Sequence, residues 1–154
     1  MRLTHILQPT CIKVPLDSTD KEAAINELID LLDTNGLIRD KELVREAVLT
    51  REQTRSTGIG SGIAIPHGKC QAVSELVMAL GITPGIDFDS IDGQPANIIL
   101  LLVSPKDRSG PHIQALAGIN RVMLDNQFKH ALEQATSAEQ AYTLLQGKET
   151  AQEG

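Results

Sequence analysis

Residues 56–69 read STGIGSGIAIPHGK and set His67 between Pro66 and Gly68. Proline fixes the approach of the chain, and glycine lets another backbone come close to the imidazole. A neutral imidazole is a competent nucleophile near pH 7, where a serine hydroxyl would need a separate base. A rigid, accessible histidine of this kind is suited to attack a phosphorus atom and then hand the group on. Taken alone, a loop histidine more often only bonds to backbone, so its surroundings must carry the case.

Three familiar explanations for the glycine density fail on spacing. A Walker loop needs GxxxxGK[ST], but Ile63 stands where Gly68-Lys69 would require a glycine, and Cys70 replaces the hydroxyl residue. A dinucleotide GxGxxG would need glycine at Ile63 or Ile65. A nucleophile elbow around Ser61 would need glycine at Ile59. Nucleotide binding and serine hydrolysis are therefore not what this segment encodes.

His112 is the second candidate. It follows an apolar run and a polar loop and opens a helix, where backbone N–H groups favour anions. Sequence spacing alone leaves it either beside His67 or purely local. Arg51 and Arg55 lead into the glycine segment, and guanidinium groups suit phosphoryl oxygens, although most surface arginines have no such role. Lys69 falls under the same caution. Asp87, Asp89 and Asp92 form an acidic cluster that matches no hand-type calcium loop. His67 and Cys70 have two-ligand zinc spacing, but no second cysteine pair or histidine cluster completes a site. No metal and no cofactor are expected. A metal-dependent hydrolase built on His67, His112 and Asp92 lacks recognisable ligand spacing.

These residues need elements to position them. Ile25, Leu28, Ile29 and Leu32 recur at helical spacing over residues 20–32, with Thr19 and Glu22 as a capping box and Gly36 as a stop. A second helix is expected from Asp40 to near Thr50. Residues 63–65 and 76–82 read as strands, residues 86–88 as a short third, and Asp92-Gly93 as a tight turn. The continuous apolar run 98–103 predicts a strand covered on both faces. After Pro111, a helix is expected with Ile113, Leu116, Ala117, Met123 and Leu124 on its buried face. A shorter helix follows over residues 128–135. Residues 137–140 open a last helix that Gly147 should end. These elements give one domain with a helix-covered mixed β-sheet, in the α/β or α+β class. The domain should cover residues 1–150, with 151–154 as a loose tail.

The chain has 154 residues, enough for one core, and that core must be aliphatic because Trp is absent and Tyr occurs once. A formal charge of −6 and few aromatic residues argue against a nucleic-acid surface. Two distant cysteines, Cys11 and Cys70, make no disulfide framework. The first ten residues lack a signal peptide, and no run reaches the roughly 18–20 apolar residues of a membrane span. A cytoplasmic protein with reduced thiols and no membrane insertion is expected.

The runs LTRE (49–52), STGIG (56–60) and GIAIPHGK (62–69) resemble the signature of phosphotransferase-system IIA domains of the fructose/mannitol type. IDFDSIDGQP (86–95) and PHIQAL (111–116) match that pattern in order, so the resemblance spans nearly the whole chain. It implies an α/β fold with a mixed central β-sheet and helices on both faces, and that His67 accepts a phosphoryl group from a histidine phosphocarrier protein of the HPr or NPr type. It further implies that His112 lies beside His67 and that Arg51 lies near the phosphoryl group, both as stabilisers with the glycine-loop amides. A tele-phosphohistidine is possible, although the sequence does not choose the nitrogen. Two positions depart from the commonest pattern: Ala96 replaces a larger aliphatic, and Pro111 directly precedes His112. The same runs look most like the nitrogen-type branch, whose free-standing members regulate other proteins through their phosphorylation state. The alternatives are a stand-alone IIA component that serves the IIB component of a sugar permease, and a regulatory binding module that is never phosphorylated.

Overall fold

The computed structural model describes residues 1–153. Residues 3–5 form a 3-10 turn, followed by β1 (Leu7–Lys13), α1 (Lys21–Thr34) and α2 (Lys41–Thr54). Three short strands then carry the glycine-rich segment: β2 (Gly58–Gly60), β3 (Ile63–Ala64) and β4 (His67–Lys69). Two long strands, β5 (Val77–Ile86) and β6 (Ala96–Ser104), precede α3 (Ser109–Met123), α4 (Asn126–Glu133) and α5 (Ala138–Glu153).

The strands form one mixed sheet in the order β1-β5-β6-β3-β2, with β4 also paired to β6. β5 and β6 are antiparallel, while β3 and β4 run parallel to β6 at its two ends. β6 is thus the spine, and Ile98 to Val103 are all buried, as a strand covered on both faces requires. α1 and α2 pack against β5 and β4, whereas α4 and α5 pack against β6 and β1. Helices cover both faces of the sheet. The core is aliphatic, with Phe88 its one fully buried aromatic.

Local signals explain most of these elements. Ala24, Ile25, Leu28, Ile29 and Leu32 give α1 one apolar stripe, and all five are buried. Gly36, at φ +70°, ends the helix while the Leu37 amide donates to the Leu32 carbonyl at 3.0 Å. The expected cap shifts by one residue: the Asp20 carboxylate, not Thr19, accepts from the Ala23 amide at 2.9 Å. α2 is capped by Asp40 as expected but runs on to Thr54, which places Arg51 and Glu52 in its last turns. The Ser137 hydroxyl accepts from the Gln140 amide at 3.1 Å, and the Gln140 side chain reaches back to the Thr136 amide at 2.8 Å.

Other expectations are corrected. β1 carried no strand signal, because Pro9 and Thr10 interrupt its apolar pattern and its register with β5 shifts between Leu7 and Ile12. Residues 86–88 are not a third strand. Ile86 ends β5, and Phe88 buries itself from a loop. His67 is not in a loop but begins β4, opposite Leu102 of β6. α5 does not stop at Gly147. It continues because Glu149 is buried and its carboxylate accepts from the Leu3 amide at 2.6 Å, the Thr4 amide at 3.0 Å and the Thr4 hydroxyl at 2.8 Å. The expected loose tail is helical through Glu153, and Gly154 lies outside the described residues.

Glu149→Ala should leave two main-chain donors of the 3-10 turn without partners in a buried site. We expect a loss of about 1–3 kcal/mol, read from urea unfolding, with earlier proteolysis of the N-terminal residues.

Candidate functional site

The site is assembled where β4 meets β6 and the end of α2. Asp92 shapes the approach: it accepts from the Ser61 amide at 2.9 Å and the Gln94 amide at 3.0 Å. That bond holds the β2–β3 turn, in which Ser61 adopts φ 58° and Gly60 and Gly62 adopt φ +91° and +81°. The chain then passes through Pro66, whose carbonyl accepts from the Leu102 amide at 3.0 Å, and enters β4 at His67. Gly68 has no room for a side chain: a Cβ there would lie 3.2 Å from the backbone of Ala47 and Val48. The backbone that Gly68 admits is therefore that of α2, rather than that of a visitor. One turn further along α2 stands Arg51.

His67 is half-buried, and its Nδ1 lies 2.8 Å from the Ile65 carbonyl oxygen. A carbonyl only accepts, so Nδ1 carries the proton and Nε2 keeps a lone pair. Burial lowers the His67 pKa, the Ile65 carbonyl opposes that shift, and the charges of Arg51 and Lys69 lower it further.

His112 reaches the same place from α3. Its ring centroid is 5.4 Å from that of His67, with the rings inclined at 57°. It is buried, with 4% exposure, and its Nδ1 lies 2.6 Å from the Ser104 hydroxyl at the end of β6. Burial above all, then His67 and Lys69, push its pKa down to about 4. This burial overturns the expected face of α3. Ile113 and Leu124 are exposed at 64% and 80%, and the inward face is His112, Ala115, Ile119, Val122 and Met123. The helix begins at Ser109, so Pro111 stands in its first turn, where a missing N–H breaks no intrahelical bond.

Arg51, Thr57, Ile59, His67, Leu116 and Asn120 are among the residues lining one cavity of about 230 Å³. The Arg51 Nη1 donates to the Arg55 carbonyl at 2.8 Å, and both residues line the cavity. Lys69, which ends β4, donates to the Ser109 hydroxyl at 3.0 Å. The buried Glu52, next to Arg51 in α2, accepts from the Thr57 amide at 2.9 Å and its hydroxyl at 2.5 Å, and pairs with Lys21 at 2.8 Å. The glycine-loop amides are largely spent within the fold: those of Thr57, Gly58 and Ser61 donate to Glu52, the Ser56 hydroxyl and Asp92. Those three amides are not free to stabilise a bound group.

The structure thus brings His67, His112 and Arg51 together and keeps the aspartates apart from them. Asp92 is occupied by its two amides, Asp87 accepts from the Asp89 amide at 2.9 Å, and Asp89 lies 3.4 Å from Lys21. Cys70 is buried at the end of β4, with its amide bonded to the Ser104 carbonyl. Among the described residues, no three His, Cys, Asp or Glu side chains gather as a metal site. Sequence reasoning passed over Ser104, Glu52 and Asn120. A hydroxyl closing an apolar run marks Ser104, and Asn120 lies two helical turns after His112. Nothing in the sequence flags Glu52 as buried.

A sheet of this topology, with one histidine on a short strand paired to its central strand and a second on the helix that follows that strand, defines a class of α/β domain. The model of the phosphoenolpyruvate-dependent sugar phosphotransferase system EIIA 2 family matches residues 5–148, and the chain belongs to that family. A nitrogen regulatory protein of Klebsiella oxytoca is 34% identical over 150 residues, covering 94% of this chain and 90% of the relative. The fructose-specific EIIABC component of Bacillus subtilis is 35% identical over 138 residues, 89% of this chain, but this chain spans only 22% of it. Among solved structures, the nitrogen regulatory protein IIA-Ntr from Neisseria meningitidis superposes with a TM-score of 0.85 at 28% identity, covering 93% of this chain and 98% of that one. Among the described residues, no helix is long and apolar enough to cross a membrane.

The histidine pair sets a pH dependence. Both pKa values are lowered, His112 from 6.5 to about 4, so between those values the unfolded chain binds more protons than the folded one. Stability should fall as pH drops from about 6.5 towards 4, and the His112 share is absent above that window. Urea midpoints against pH should show a steeper acid loss in wild type than in His112→Gln. The His112 ring should stay neutral by NMR down to about pH 5.

Proposed function

We propose that this chain is a phosphocarrier in which His67 Nε2 takes a phosphoryl group from a phosphohistidine of an HPr- or NPr-type carrier. The observation that carries this reading is the 2.8 Å contact of Nδ1 with the Ile65 carbonyl, which leaves Nε2 as the nucleophile. The donor P–N bond breaks, its electron pair returns to the donor ring, and a new P–Nε2 bond forms. Positive charge then develops on the His67 ring, and the Ile65 carbonyl faces the Nδ1 proton that carries it.

Transfer of this kind depends on positioning and charge stabilisation. In this reading Ser104 donates to His112 Nδ1, so the other ring nitrogen of His112 bears a proton and can donate to the phosphoryl oxygens. A pKa near 4 keeps that ring neutral, so it donates without competing as a base for a proton. Arg51 supplies the fixed positive charge. The reaction as written uses no nucleotide and no metal, because the donor brings an activated phosphoryl group.

The nitrogen-type regulatory role is supported by the matched relatives of that description and by the Neisseria structure. A phosphoryl group adds roughly −1.5 to −2 charges at His67. Desolvating that charge without a cation costs several kcal/mol, so a regulated partner docking there discriminates the two forms. The similarity to fructose components supports a second reading, in which His67 passes its phosphoryl group to a sugar-specific IIB component.

Phosphoenolpyruvate with the general phosphotransferase enzymes should add one acid-labile phosphoryl group, seen by intact mass, and NMR should place it on Nε2. His67→Ala should remain folded and stay unmodified; acid-labile phosphate on that variant would overturn the assignment. No modification of wild type would leave a pure binding module. His112→Ala should still load, but about 10²-fold more slowly; a wild-type rate in both directions would make His112 structural. Phosphate passing on to a purified IIB domain would decide for the sugar-transport reading.

A further inference from the structure

Glu52 follows Arg51 in α2, yet its side chain is only 4% exposed. Its Oε1 accepts from the Thr57 hydroxyl, and its Oε2 accepts from the Thr57 amide and pairs with Lys21 Nζ. Thr57 is buried as well, and its carbonyl accepts from the Ile65 amide at 3.1 Å. The Ile65 carbonyl in turn faces His67 Nδ1. An unbroken series of contacts therefore runs from a buried carboxylate, through Thr57 and Ile65, to the ring. Ile65 is held at both of its polar ends, the amide at Thr57 and the carbonyl at His67.

Stability alone does not account for a charge at this place. A buried ion pair does little better than apolar residues of the same shape, because both ions lose their water. A neutral acceptor would also satisfy the Thr57 donors. The counter-ion does not cancel the carboxylate. Lys21 is 21% exposed and borders a depression of about 410 Å³, where water screens it more than it screens Glu52. The residual field reaches His67. Burial lowers the His67 pKa most, and the Ile65 carbonyl raises it; of the nearby charges, Arg51 and Lys69 lower it and Glu52 raises it. The other titratable group against the ring is His112 of α3.

We infer, resting on the phosphocarrier reading, that Glu52 is a positioning residue for phosphoryl transfer, fixing the Ile65 carbonyl against His67 Nδ1 by way of Thr57. As the donor P–N bond breaks towards the donor ring and the P–Nε2 bond forms, the His67 ring becomes cationic and keeps its Nδ1 proton. The fixed carbonyl accepts from that proton, and the Glu52 charge favours the cationic ring. Arg51 and Glu52 thus divide the work of neighbouring positions in α2. The guanidinium borders the cavity that the phosphoryl group enters, and the carboxylate acts on the ring from within the fold.

Glu52→Gln keeps the size of the side chain and removes its charge. The folded variant, checked by circular dichroism, should show a His67 pKa below that of wild type by NMR. Its loading should be slower by about tenfold, both from the phosphorylated carrier protein and from phosphoramidate, a small donor that needs no docking. Thr57→Val removes the hydroxyl link and leaves the Glu52 charge, so it should slow loading less. The double variant should load no more slowly than Glu52→Gln alone, because both changes act on one path. Glu22→Gln is the charge control, since exposed Glu22 borders the same depression as Glu52 and should alter neither pKa nor rate. A folded Glu52→Gln with the wild-type His67 pKa and wild-type loading would overturn the inference and leave the carboxylate structural. Additive losses in the double variant would overturn the route through Thr57. If Glu52→Gln does not fold, Thr57→Val decides, and wild-type loading by that variant would overturn the inference. Failure of wild type to load from either donor would instead sink the phosphocarrier reading, whereas the His67 pKa reports on Glu52 without any loading.

Discussion

The close approach of α2 to β4 at Gly68 is the constraint on which the rest of the site depends. Without a Cβ, the strand lets the backbone of Ala47 and Val48 lie against it, and one turn later the helix delivers Arg51 and Glu52. Those two neighbours then face opposite ways. Arg51 borders the cavity beside His67, while Glu52 turns inward to hold Thr57 and Lys21. The ordering cost of the glycine-rich segment is met by this clamp and by Asp92, which together fix both ends of β2.

The second frame of the site is β6. It is buried along its length and pairs with β5, β3 and β4, so its end is a rigid reference point. His67 registers opposite Leu102, and Lys69 opposite Ser104. Ser104 in turn fixes His112 through a hydroxyl bond in a buried site, where an unpaired imidazole nitrogen would be costly. The two histidines thus acquire their separation from one strand, although they come from different elements. Each has its Nδ1 engaged with the fold, that of His67 at the Ile65 carbonyl and that of His112 at the Ser104 hydroxyl. Burial and neighbouring charges lower both pKa values, that of His112 to about 4.

The membership of this family and the layout of its elements were legible from residues 49–69 and from the helical and strand periods. The Asp40 cap, the Gly36 stop, the Asp92-Gly93 turn and the doubly covered β6 all appear where local chemistry puts them. Errors arose where a local pattern had two solutions. Thr19 and Asp20 could both cap α1, and the carboxylate adjoining the first helical residue does so. In α3, small and large apolar residues are mixed, so two helical faces score alike. The sequence favoured Ile113 and Leu116, whereas the fold turns His112, Ala115 and Ile119 inward. Gly147 looked like a terminator, but burial of Glu149 carries α5 past it.

Sequence by itself singled out His67 as the candidate nucleophile. Pro66, His67 and Gly68 are consecutive, and their backbone restrictions act locally. It also determined the helix caps and the buried strand, because those signals span only a few residues. Tertiary structure alone decided what surrounds His67. His112, Arg51, Ser104 and Lys69 come from α3, α2, β6 and β4, and their meeting follows from sheet order, strand register and the rotation of a helix about its axis. Those are properties of packing among distant segments, to which short-range patterning is blind.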